Sequence, residues 1–264
     1  MGLFGEQKMN PRFFVDPKQI SGDTVTISGE ELTHLARVLR LKPGSCITVC
    51  DGSGQEYQAI LQEILPKMAL ARIVEPVSSY AEPRVKITLV QGLPKADKMD
   101  LIIQKGTELG ICEFLPVFTE RTVVRLSGVK AERRVERWQR IAKEAAKQSR
   151  RTVVPKVHFP VPWGECLSKY SDKSQGRLGL FPWEAVSGRS IKDVLSVNQG
   201  WKQAGDSLEI WLFIGPEGGW SETEAGQAGA LGIVALSLGP RILRTETAGI
   251  VAASVILYES GDLG

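Results

Sequence analysis

The sequence has few residues of the kinds that bind metals or form nucleophile and base pairs. Its two histidines, His34 and His158, and its four cysteines, none in a CxxC pair, offer poor prospects for a zinc site. We therefore expect no metal and reduced, mostly buried thiols. No GxxxxGK[ST] loop occurs, and no GxGxxG follows a strand, which disfavours Walker-type hydrolysis and the common dinucleotide fold. A Ser-His-Asp hydrolase fits poorly because neither histidine lies near a nucleophile elbow.

Long apolar runs are also missing. None approaches the roughly 20 residues that cross a bilayer, and the N-terminal stretch has no apolar core of signal-peptide length. These absences predict a cytoplasmic protein with no membrane partner. The 264 residues are 42% hydrophobic and 24% charged, which is typical of a soluble globular protein, and their number favours two domains.

Positive charge is concentrated in the middle of the chain, although the net charge is only +3. Lysine and arginine against aspartate and glutamate number 8 to 9 in residues 1–78 and 17 to 8 in residues 84–159. They number 8 to 12 in residues 160–264. The middle third therefore carries a basic patch, which points to a polyanionic partner such as RNA.

The first part of the chain resembles a small β-barrel in its pattern. Short alternating segments predict strands over residues 23–28, 45–50, 55–64 and 69–75. A proline-bounded linker at Pro76–Pro83 ends this part, which gives a barrel domain at residues 1–78 and a second domain at residues 79–264.

One short helix interrupts the predicted strands. Ser28 and Glu31 have the spacing of a capping box, and Leu32, Leu35 and Leu39 supply an apolar face with Val38 at its edge. On the opposite edge three cationic or ionisable residues recur at intervals of three: His34, Arg37 and Arg40. Either this edge is simply solvated or it contacts RNA.

From Val85 onward apolar strands alternate with helices, which predicts an α/β domain with a largely parallel sheet. A helix starts at Asp97 and ends before Gly110. A second helix at Ala131–Arg151 buries Val135, Trp138, Ala142, Ala145 and Ala146. Its opposite face carries Arg133, Arg137, Arg140, Lys147 and Arg151, and the loop before it adds Arg121, Arg125 and Lys130. Such a face is often only solvated, but the repulsion among these cations favours a nucleic-acid contact.

Two glycine- and proline-bearing turns follow predicted buried strands near the C-terminus. The first is Gly215-Pro216-Glu217-Gly218-Gly219, after which Ser221 and Glu224 form a capping box. The second is Leu238–Arg244, before a helix that Thr245 is expected to cap. Because ligands bind at the carboxyl ends of parallel strands, these turns predict a site that holds an anionic or lone-pair-rich ligand.

Several segments together resemble one family. GPEGGWSETE at Gly215–Glu224 and LGPRILRTETA at Leu238–Ala248 are similar to the two signature segments of SPOUT methyltransferases. Over nearly its full length, the chain resembles the bacterial ribosomal RNA small subunit methyltransferase E family, which methylates N3 of a uridine in 16S rRNA. The further matching segments are RFF at Arg12–Phe14, HLARVLRLKPG at His34–Gly44, QGLPKADKMDLIIQKGTELG at Gln91–Gly110 and RWQRIAKEAAKQSRR at Arg137–Arg151.

The resemblance implies an α/β fold: a PUA-like N-terminal barrel and a C-terminal SPOUT domain with a trefoil knot, acting as a homodimer. It implies S-adenosyl-L-methionine as the cofactor and 16S rRNA of the small subunit as the partner. The expected cofactor-binding residues are Gly215, Pro216, Glu217, Gly218, Gly219, Leu238, Gly239, Ile242, Leu243, Thr245 and Ala248. The expected RNA-binding residues are Arg12, His34, Arg37, Arg40, Arg121, Arg137, Arg140, Lys147 and Arg151. Arg151 is preferred to Arg150, where the family has a small residue, because Arg151 falls on the cationic face.

Methyl transfer to uracil N3 requires loss of the N3 proton and stabilisation of charge on O2 and O4. Arg244 is the first candidate for that stabilisation. Glu217 is expected to accept hydrogen bonds from the cofactor ribose or to favour the sulfonium charge. Glu246 is either the base or only a first-turn residue that interacts with the helix dipole. A non-catalytic ribosome-assembly factor and a tRNA-directed SPOUT enzyme are the alternative functions.

Overall fold

The computed structural model describes residues 10–77, 81–172, 176–197 and 208–264. The chain forms two compact units, one of Met1–Glu82 with Arg150–Val153 and one of Pro83–Ser149 with Val154–Gly264. The first unit thus takes four residues from a later part of the chain, and the boundary that we predict after residue 78 stays a prediction. The polar segment Asn198–Asp206, whose composition predicts a loop, lies outside the described residues, as does part of the linker Pro76–Pro83.

Unit 1 is built on one six-stranded sheet in the order β1-β4-β5-β6-β3-β2. Its strands are β1 (Arg12–Phe14), β2 (Ile20–Ser21), β3 (Thr24–Ser28), β4 (Cys46–Cys50), β5 (Glu56–Ile64) and β6 (Met68–Val77). Only β1 and β4 pair in parallel. Alternate residues such as Val25 and Ile27 are buried in the core, as the period of two predicts. The predicted β-rich first domain is confirmed.

The short helix of unit 1 differs from the prediction. Helix α1 covers only Gly29–Thr33, and the chain continues as one π-helical segment over His34–Val38. The predicted capping box is wrong, since the side chain of Ser28 makes no cap bond. The Ser28 hydroxyl instead accepts a 2.9 Å hydrogen bond from Nε2 of Gln19.

Unit 2 contains a seven-stranded sheet in which every pairing is parallel. The order is β10-β8-β7-β12-β11-β13, and β9 pairs with β8. The strands are β7 (Lys86–Gly92), β8 (Glu113–Phe118), β9 (Lys156–Val157), β10 (Val161–Pro162), β11 (Arg177–Pro182), β12 (Glu209–Ile214) and β13 (Val234–Leu236). The predicted α/β second domain is therefore confirmed.

Helices pack against this sheet. They are α2 (Lys98–Leu109), α3 (Gly128–Gln148), α4 (Trp163–Ser171), α5 (Ile191–Val197), α6 (Glu222–Ala230) and α7 (Thr245–Glu259). As predicted, α2 starts after Asp97 and ends at Gly110, whose φ of 113° only glycine adopts readily. The Ser221–Glu224 capping box of α6 is also confirmed.

Three predicted helix termini are wrong. Helix α3 begins at Gly128 rather than at Ala131, so Lys130 lies on the helix and not in the preceding loop. Helix α3 ends at Gln148, so Arg151 is not on the helix. Thr245 does not cap α7, because Arg244 is the N-cap residue and Thr245 is the first residue of the helix. The predicted apolar face of α3 is nevertheless confirmed, because Val135, Trp138, Ala142, Ala145 and Ala146 are all buried.

The four cysteines are free, but only two are buried. Burial raises the pKa of Cys50 to about 11 and that of Cys166 to about 12, despite the neighbouring cations Arg12 and Lys169. Cys46 is exposed and Cys112 is half-buried, so the prediction of mostly buried thiols holds for half of them. Within the described residues, no group of three or more His, Cys, Asp or Glu side chains could hold a metal ion. None of the described helices combines the length and the apolar character that a membrane span requires.

Candidate functional site

The two C-terminal turns follow parallel strands of the unit 2 sheet, but the strands are not neighbours. Gly215–Gly219 follows β12, and Leu238–Arg244 follows shortly after β13. Strand β11 lies between them and pairs with both. The segment after β11 therefore stands between the two turns at the carboxyl ends of the strands, where open α/β sheets bind ligands.

A cavity of about 480 Å³ opens at this edge of the sheet. This volume lies within the roughly 300–1,000 Å³ that is usual for small-molecule sites. In the described part of the chain, its wall comes from the segment after β11 and from the second turn with the start of α7. The lining residues are Trp183, Glu184, Val186, Ser187, Gly188, Ser237, Leu238, Gly239, Pro240, Arg241, Ile242, Leu243 and Ala248.

Backbone hydrogen bonds fix the two walls of this cavity to each other. The amide of Trp183 donates to the carbonyl of Leu236 at 3.0 Å, and the amide of Ser237 donates to the carbonyl of Arg189 at 2.8 Å. In the second turn Gly239 has a φ of 104°, a backbone conformation that other residues adopt only with strain. Ile242 leaves 89% of its surface exposed, so an apolar side chain stands open at the cavity.

The first turn is held against the sheet from several sides. The hydroxyl of Thr245 donates to the carbonyl of Gly215 at 2.6 Å and accepts from Nε2 of Gln91 at 2.9 Å. Nη1 of Arg121 donates to the carbonyl of Gly218 at 2.8 Å. Directly after the turn, Trp220 stacks on an aromatic ring of β11 at a centroid distance of 4.7 Å. These contacts make the turn a rigid part of the domain.

Glu217 at the centre of the first turn belongs to a small charged cluster. Its carboxylate accepts from the backbone amide of Lys95 at 3.0 Å and pairs with Nζ of Lys98 at 2.9 Å. Lys98 also lies 3.3 Å from Oε2 of Glu246. Burial opposes the ionisation of Glu217, but the hydrogen bonds from Lys98 and from backbone amides outweigh it and lower the pKa of the carboxyl group. The hydrogen bond to Glu217 raises the pKa of Lys98.

The structure divides the predicted cofactor-binding residues into two sets. Five of them line the cavity: Leu238, Gly239, Ile242, Leu243 and Ala248. The residues of the first turn are not among those that line it in the described chain, and Thr245 is buried beneath the turn. The carboxylate of Glu217 already binds the amide of Lys95 and Nζ of Lys98, so a contact with the cofactor ribose would have to displace these partners.

The two predicted catalytic residues lie at the start of α7. Arg244 is exposed, and its guanidinium makes no ion pair within the described residues. Glu246 is paired with Lys98 and its side chain is 14% exposed. Oε2 of Glu246 is buried and makes no hydrogen bond of acceptable geometry to the rest of the described chain. An exposed cation with no ion pair in the described chain and a carboxylate that pairs with Lys98 therefore lie at the helix start.

The predicted RNA-binding cations of unit 2 differ in their surroundings. Arg137 forms an ion pair with Asp100 of α2, and Lys147 pairs with Glu144 at 3.1 Å. Arg121 binds the first turn, as described above. Arg140 is exposed and has no ion-pair partner in the described chain. Arg140 is thus the predicted residue on α3 whose charge is most available to a ligand.

In unit 1, the predicted RNA-binding edge lies on the π-helical segment and just after it. The ring of His34 packs edge-on against Phe13 at a centroid distance of 6.2 Å. Arg37 and Arg40 are exposed. Leu39, expected on the apolar face, is 39% exposed, and Val38, expected at the edge of that face, is 67% exposed. Both lie in or directly after the π turn, which is wider than an α-helical turn. The result is a surface of mixed cationic and apolar character.

Two further predicted RNA contacts, Arg12 and Arg151, have their guanidinium groups engaged inside unit 1. Arg12 makes a two-pronged ion pair with Glu56 at 2.9 and 3.0 Å and donates to Sγ of Cys50 at 2.9 Å. The side chain of Arg151 is 2% exposed and pairs with Glu82 at 2.7 Å. The expectation that Arg151 lies on an exposed helix face is wrong, because the helix has already ended.

Sequence reasoning missed one wall of the cavity. Trp183, Glu184, Val186, Ser187 and Gly188 line it, yet none of them belongs to a recognisable motif. A signal was available, because the apolar segment Arg177–Phe181 predicts a strand and every parallel strand of such a sheet ends at the ligand-binding edge. Placing this loop between the two turns required the strand order, which the sequence alone does not contain.

Comparisons with known proteins agree with this architecture. Residues 81–257 match the family model of an RNA methyltransferase domain, and residues 27–74 match that of an RNA methyltransferase PUA domain. The chain is 36% identical over 252 residues to the ribosomal RNA small subunit methyltransferase E of Bacillus subtilis, a match that covers 94% of this chain and 96% of the relative. The protein of the same name from Synechocystis is 37% identical over 245 residues, a match that covers 93% of this chain and 76% of the relative.

A solved structure extends the likeness to three dimensions. It is a ribosomal RNA small subunit methyltransferase E from Neisseria gonorrhoeae bound to S-adenosyl methionine, 33% identical in sequence. The two structures superpose with a TM-score of 0.80, covering 94% of this chain and 97% of the other.

Proposed function

Because this chain belongs to the ribosomal RNA small subunit methyltransferase E family, we propose that it transfers a methyl group from S-adenosyl-L-methionine to N3 of a uridine in 16S rRNA. Methyltransferase activity on ribosomal RNA and the use of S-adenosylmethionine follow from family membership. The choice of uracil N3 and of the small-subunit RNA is the finer part of the proposal. The observation that carries it is the cavity at the carboxyl ends of β11 and β13, beside Arg244, a cation that has no ion pair within the described residues.

The residues of the cavity fit the proposed cofactor. Leu238, Ile242 and Leu243 offer an apolar wall for a purine ring, and the main chain around Gly239 is open enough to exchange hydrogen bonds with it. When bound, S-adenosylmethionine supplies an electrophilic methyl group on a cationic sulfur. The chain must then hold the acceptor base in line with that methyl group and keep water away from it.

Arg244 is the side chain that we propose acts on the acceptor. When uracil N3 loses its proton, negative charge spreads onto O2 and O4, and a guanidinium nearby stabilises that charge. Arg244 is suited to this role because no carboxylate of the described chain neutralises it. Glu246 remains the proposed proton acceptor, since it is the acid in the first turn of α7, two residues after Arg244. Oε2 of Glu246 lies 3.3 Å from Nζ of Lys98.

RNA binding is proposed for two surfaces. In unit 2, exposed Arg140 on α3 would bind phosphate groups, with Arg121, Arg137 and Lys147 as further proposed contacts that already have partners within the protein. In unit 1, His34, Arg37 and Arg40 form the proposed contact surface. Arg12 and Arg151 are also proposed contacts, but each guanidinium already pairs with a carboxylate in unit 1. To bind a phosphate group, each would have to give up part of that ion pair.

We further propose the family's trefoil knot in the C-terminal segment and a homodimer as the active form. The apolar character of α7 supports the dimer, because Tyr258 on that helix is 68% exposed and Leu101 on the adjoining α2 is 42% exposed. Light scattering coupled to size-exclusion chromatography tests it directly. A monomer at micromolar concentration with full methyl-transfer activity would contradict the dimer proposal.

The decisive experiment measures transfer of a labelled methyl group to naked 16S rRNA and to assembled small subunits, followed by mapping of the product. We expect one labelled uridine, modified at N3, on at least one of these substrates. A folded protein that binds the cofactor but labels neither substrate would point to a non-catalytic assembly factor. Label on tRNA instead would point to the tRNA-directed alternative.

A further inference from the structure

Glu184 is an acidic residue in the lining of the cavity. Among the described residues that line the cavity it is the one acid, and Arg241 is the one cation. Glu184 is exposed, and its carboxylate makes neither a hydrogen bond nor an ion pair within the described part of the chain. An acidic side chain held at the wall of a ligand cavity without a protein partner is available to the ligand.

The carboxylate of Glu184 also lies next to Gly219 of the first turn. A Cβ atom added to Gly219 would lie 3.1 Å from Oε1 and 3.3 Å from Oε2 of Glu184, closer than ordinary van der Waals contact. Gly219 has a φ of 68°, a backbone conformation that favours glycine. Glu184 therefore connects the cavity wall after β11 with the turn after β12, although that turn does not itself line the cavity.

The position of Glu184 restricts the ligand group that it can bind. A carboxylate only accepts hydrogen bonds, and its two oxygens match two neighbouring donors. The apolar wall of Leu238, Ile242 and Leu243 suits a purine ring, and the group next to a purine in an adenosine ligand is a ribose with two vicinal hydroxyls. Acidic side chains bind ribose hydroxyls in the same way in unrelated dinucleotide-binding folds.

We propose that Glu184 binds the ribose of the cofactor and accepts hydrogen bonds from its 2′ and 3′ hydroxyl groups. The proposal rests on the proposed function, namely that this cavity holds S-adenosylmethionine. It assigns to the loop after β11 the role of recognising the sugar, while the second turn encloses the base. The proposal gives the first turn an indirect part, because Gly219 lies next to the Glu184 carboxylate.

Calorimetry on the full-length protein tests the proposal without relying on activity. The variants are Glu184→Gln and, as a matched control, Glu222→Gln, which changes an exposed acid of α6 outside the cavity lining. The ligands are S-adenosylhomocysteine, 5′-methylthioadenosine, which lacks the amino-acid part, and the 2′-deoxy form of 5′-methylthioadenosine. Thermal unfolding verifies that each variant folds.

We expect Glu184→Gln to weaken both ribose-bearing ligands about ten- to hundredfold, as loss of hydrogen bonds to a charged acceptor predicts. The affinity for the 2′-deoxy ligand should fall much less in this variant. The Glu222→Gln variant should bind all three ligands as tightly as the wild type does. Unchanged binding by Glu184→Gln would overturn the proposal, and so would a loss confined to S-adenosylhomocysteine, which would assign the carboxylate to the amino-acid part. Failure of the wild type to bind any of these ligands would overturn the proposed function as well.

Discussion

Gly92 lies against Pro216 so closely that a Cβ atom on Gly92 would stand 2.5 Å from Cδ and 2.6 Å from the backbone nitrogen of the proline. Gly92 is the last residue of β7, and Pro216 is in the turn that follows β12. The two strands are neighbours in the sheet, so the contact fixes the height of the first turn above the strand ends. The Gln91–Thr245 hydrogen bond lies beside this contact and joins the start of α7 to the same point.

Gly92→Ala is expected to displace the first turn. The clash involves backbone and a proline ring, which cannot rotate away, so we expect a loss of roughly 1–3 kcal/mol in the free energy of unfolding. Cofactor affinity, measured by calorimetry, should fall as well. Gly226→Ala is the matched control, because that helical glycine has nothing within 4 Å of its added Cβ, and the change should stabilise the protein slightly. Equal effects of the two substitutions would contradict the role given to the Gly92–Pro216 contact.

Arg244→Ala is expected to separate turnover from cofactor binding. The guanidinium has no partner within the described chain, so its loss should leave folding and the dissociation constant of S-adenosylhomocysteine nearly unchanged. If it stabilises the charge on uracil, kcat should fall about 10²–10³-fold, the usual cost of removing one such donor. Arg244→Lys should retain part of the activity because it keeps the positive charge. A parallel loss in affinity and kcat would make Arg244 a structural residue instead.

Glu246→Gln tests the proposed proton acceptor. As a general base, Glu246 would contribute about 10²–10⁴-fold to kcat, and the amide cannot replace it. The fall should appear in single-turnover rates, while the melting temperature reports the loss of the ion pair with Lys98. Lys98→Met is the informative companion, because it removes the same ion pair but keeps the carboxylate. If both variants lose equal activity, the ion pair matters and Glu246 is not the base.

The sequence was most informative where a pattern repeats within one element. The apolar face of α3 and the four strands predicted in unit 1 follow from the periodicity of apolar residues, and those predictions are confirmed. Capping boxes were less reliable: the one at Ser221 exists, whereas Ser28 has the same spacing and makes no cap bond. There the helix widens into a π turn and the hydroxyl of Ser28 bonds with Gln19 instead. Local spacing thus permits a cap without requiring one.

Features that depend on distant contacts were not predictable. The buried ion pair of Arg151 with Glu82 joins residues 69 positions apart, and nothing local distinguishes Arg151 from Arg150. Glu184 enters the cavity only because β11 lies between β12 and β13, an order that periodicity does not reveal. The two turns themselves were found from their glycines and prolines, since those residues mark backbone conformations that other residues avoid.

Charge reversal on α3 tests the proposed RNA surface of unit 2. Arg140→Glu should weaken RNA binding and reduce the slope of log affinity against log salt by about one unit, because one phosphate contact is lost. Arg137→Glu should in addition destabilise the fold, since it places a second acid beside Asp100. Lys192→Glu on α5 is the control with the same change in net charge. If the slope of log affinity against log salt is the same for all three variants, α3 does not contribute to RNA binding beyond its effect on net charge.

Arg12→Ala distinguishes a structural arginine from an RNA contact. The side chains of Arg12 and Glu56 are 15% and 8% exposed, so removing the guanidinium leaves a largely buried carboxylate without its partner. We expect the free energy of unfolding to fall by about 3–5 kcal/mol, whereas Arg72→Ala, at an exposed position on β6, should cost little. The double variant Arg12→Met with Glu56→Leu should recover most of the stability, because two apolar side chains replace the pair. If the double variant folds normally and binds RNA as the wild type does, Arg12 acts within unit 1 alone; if its RNA affinity stays low, Arg12 also contacts the RNA.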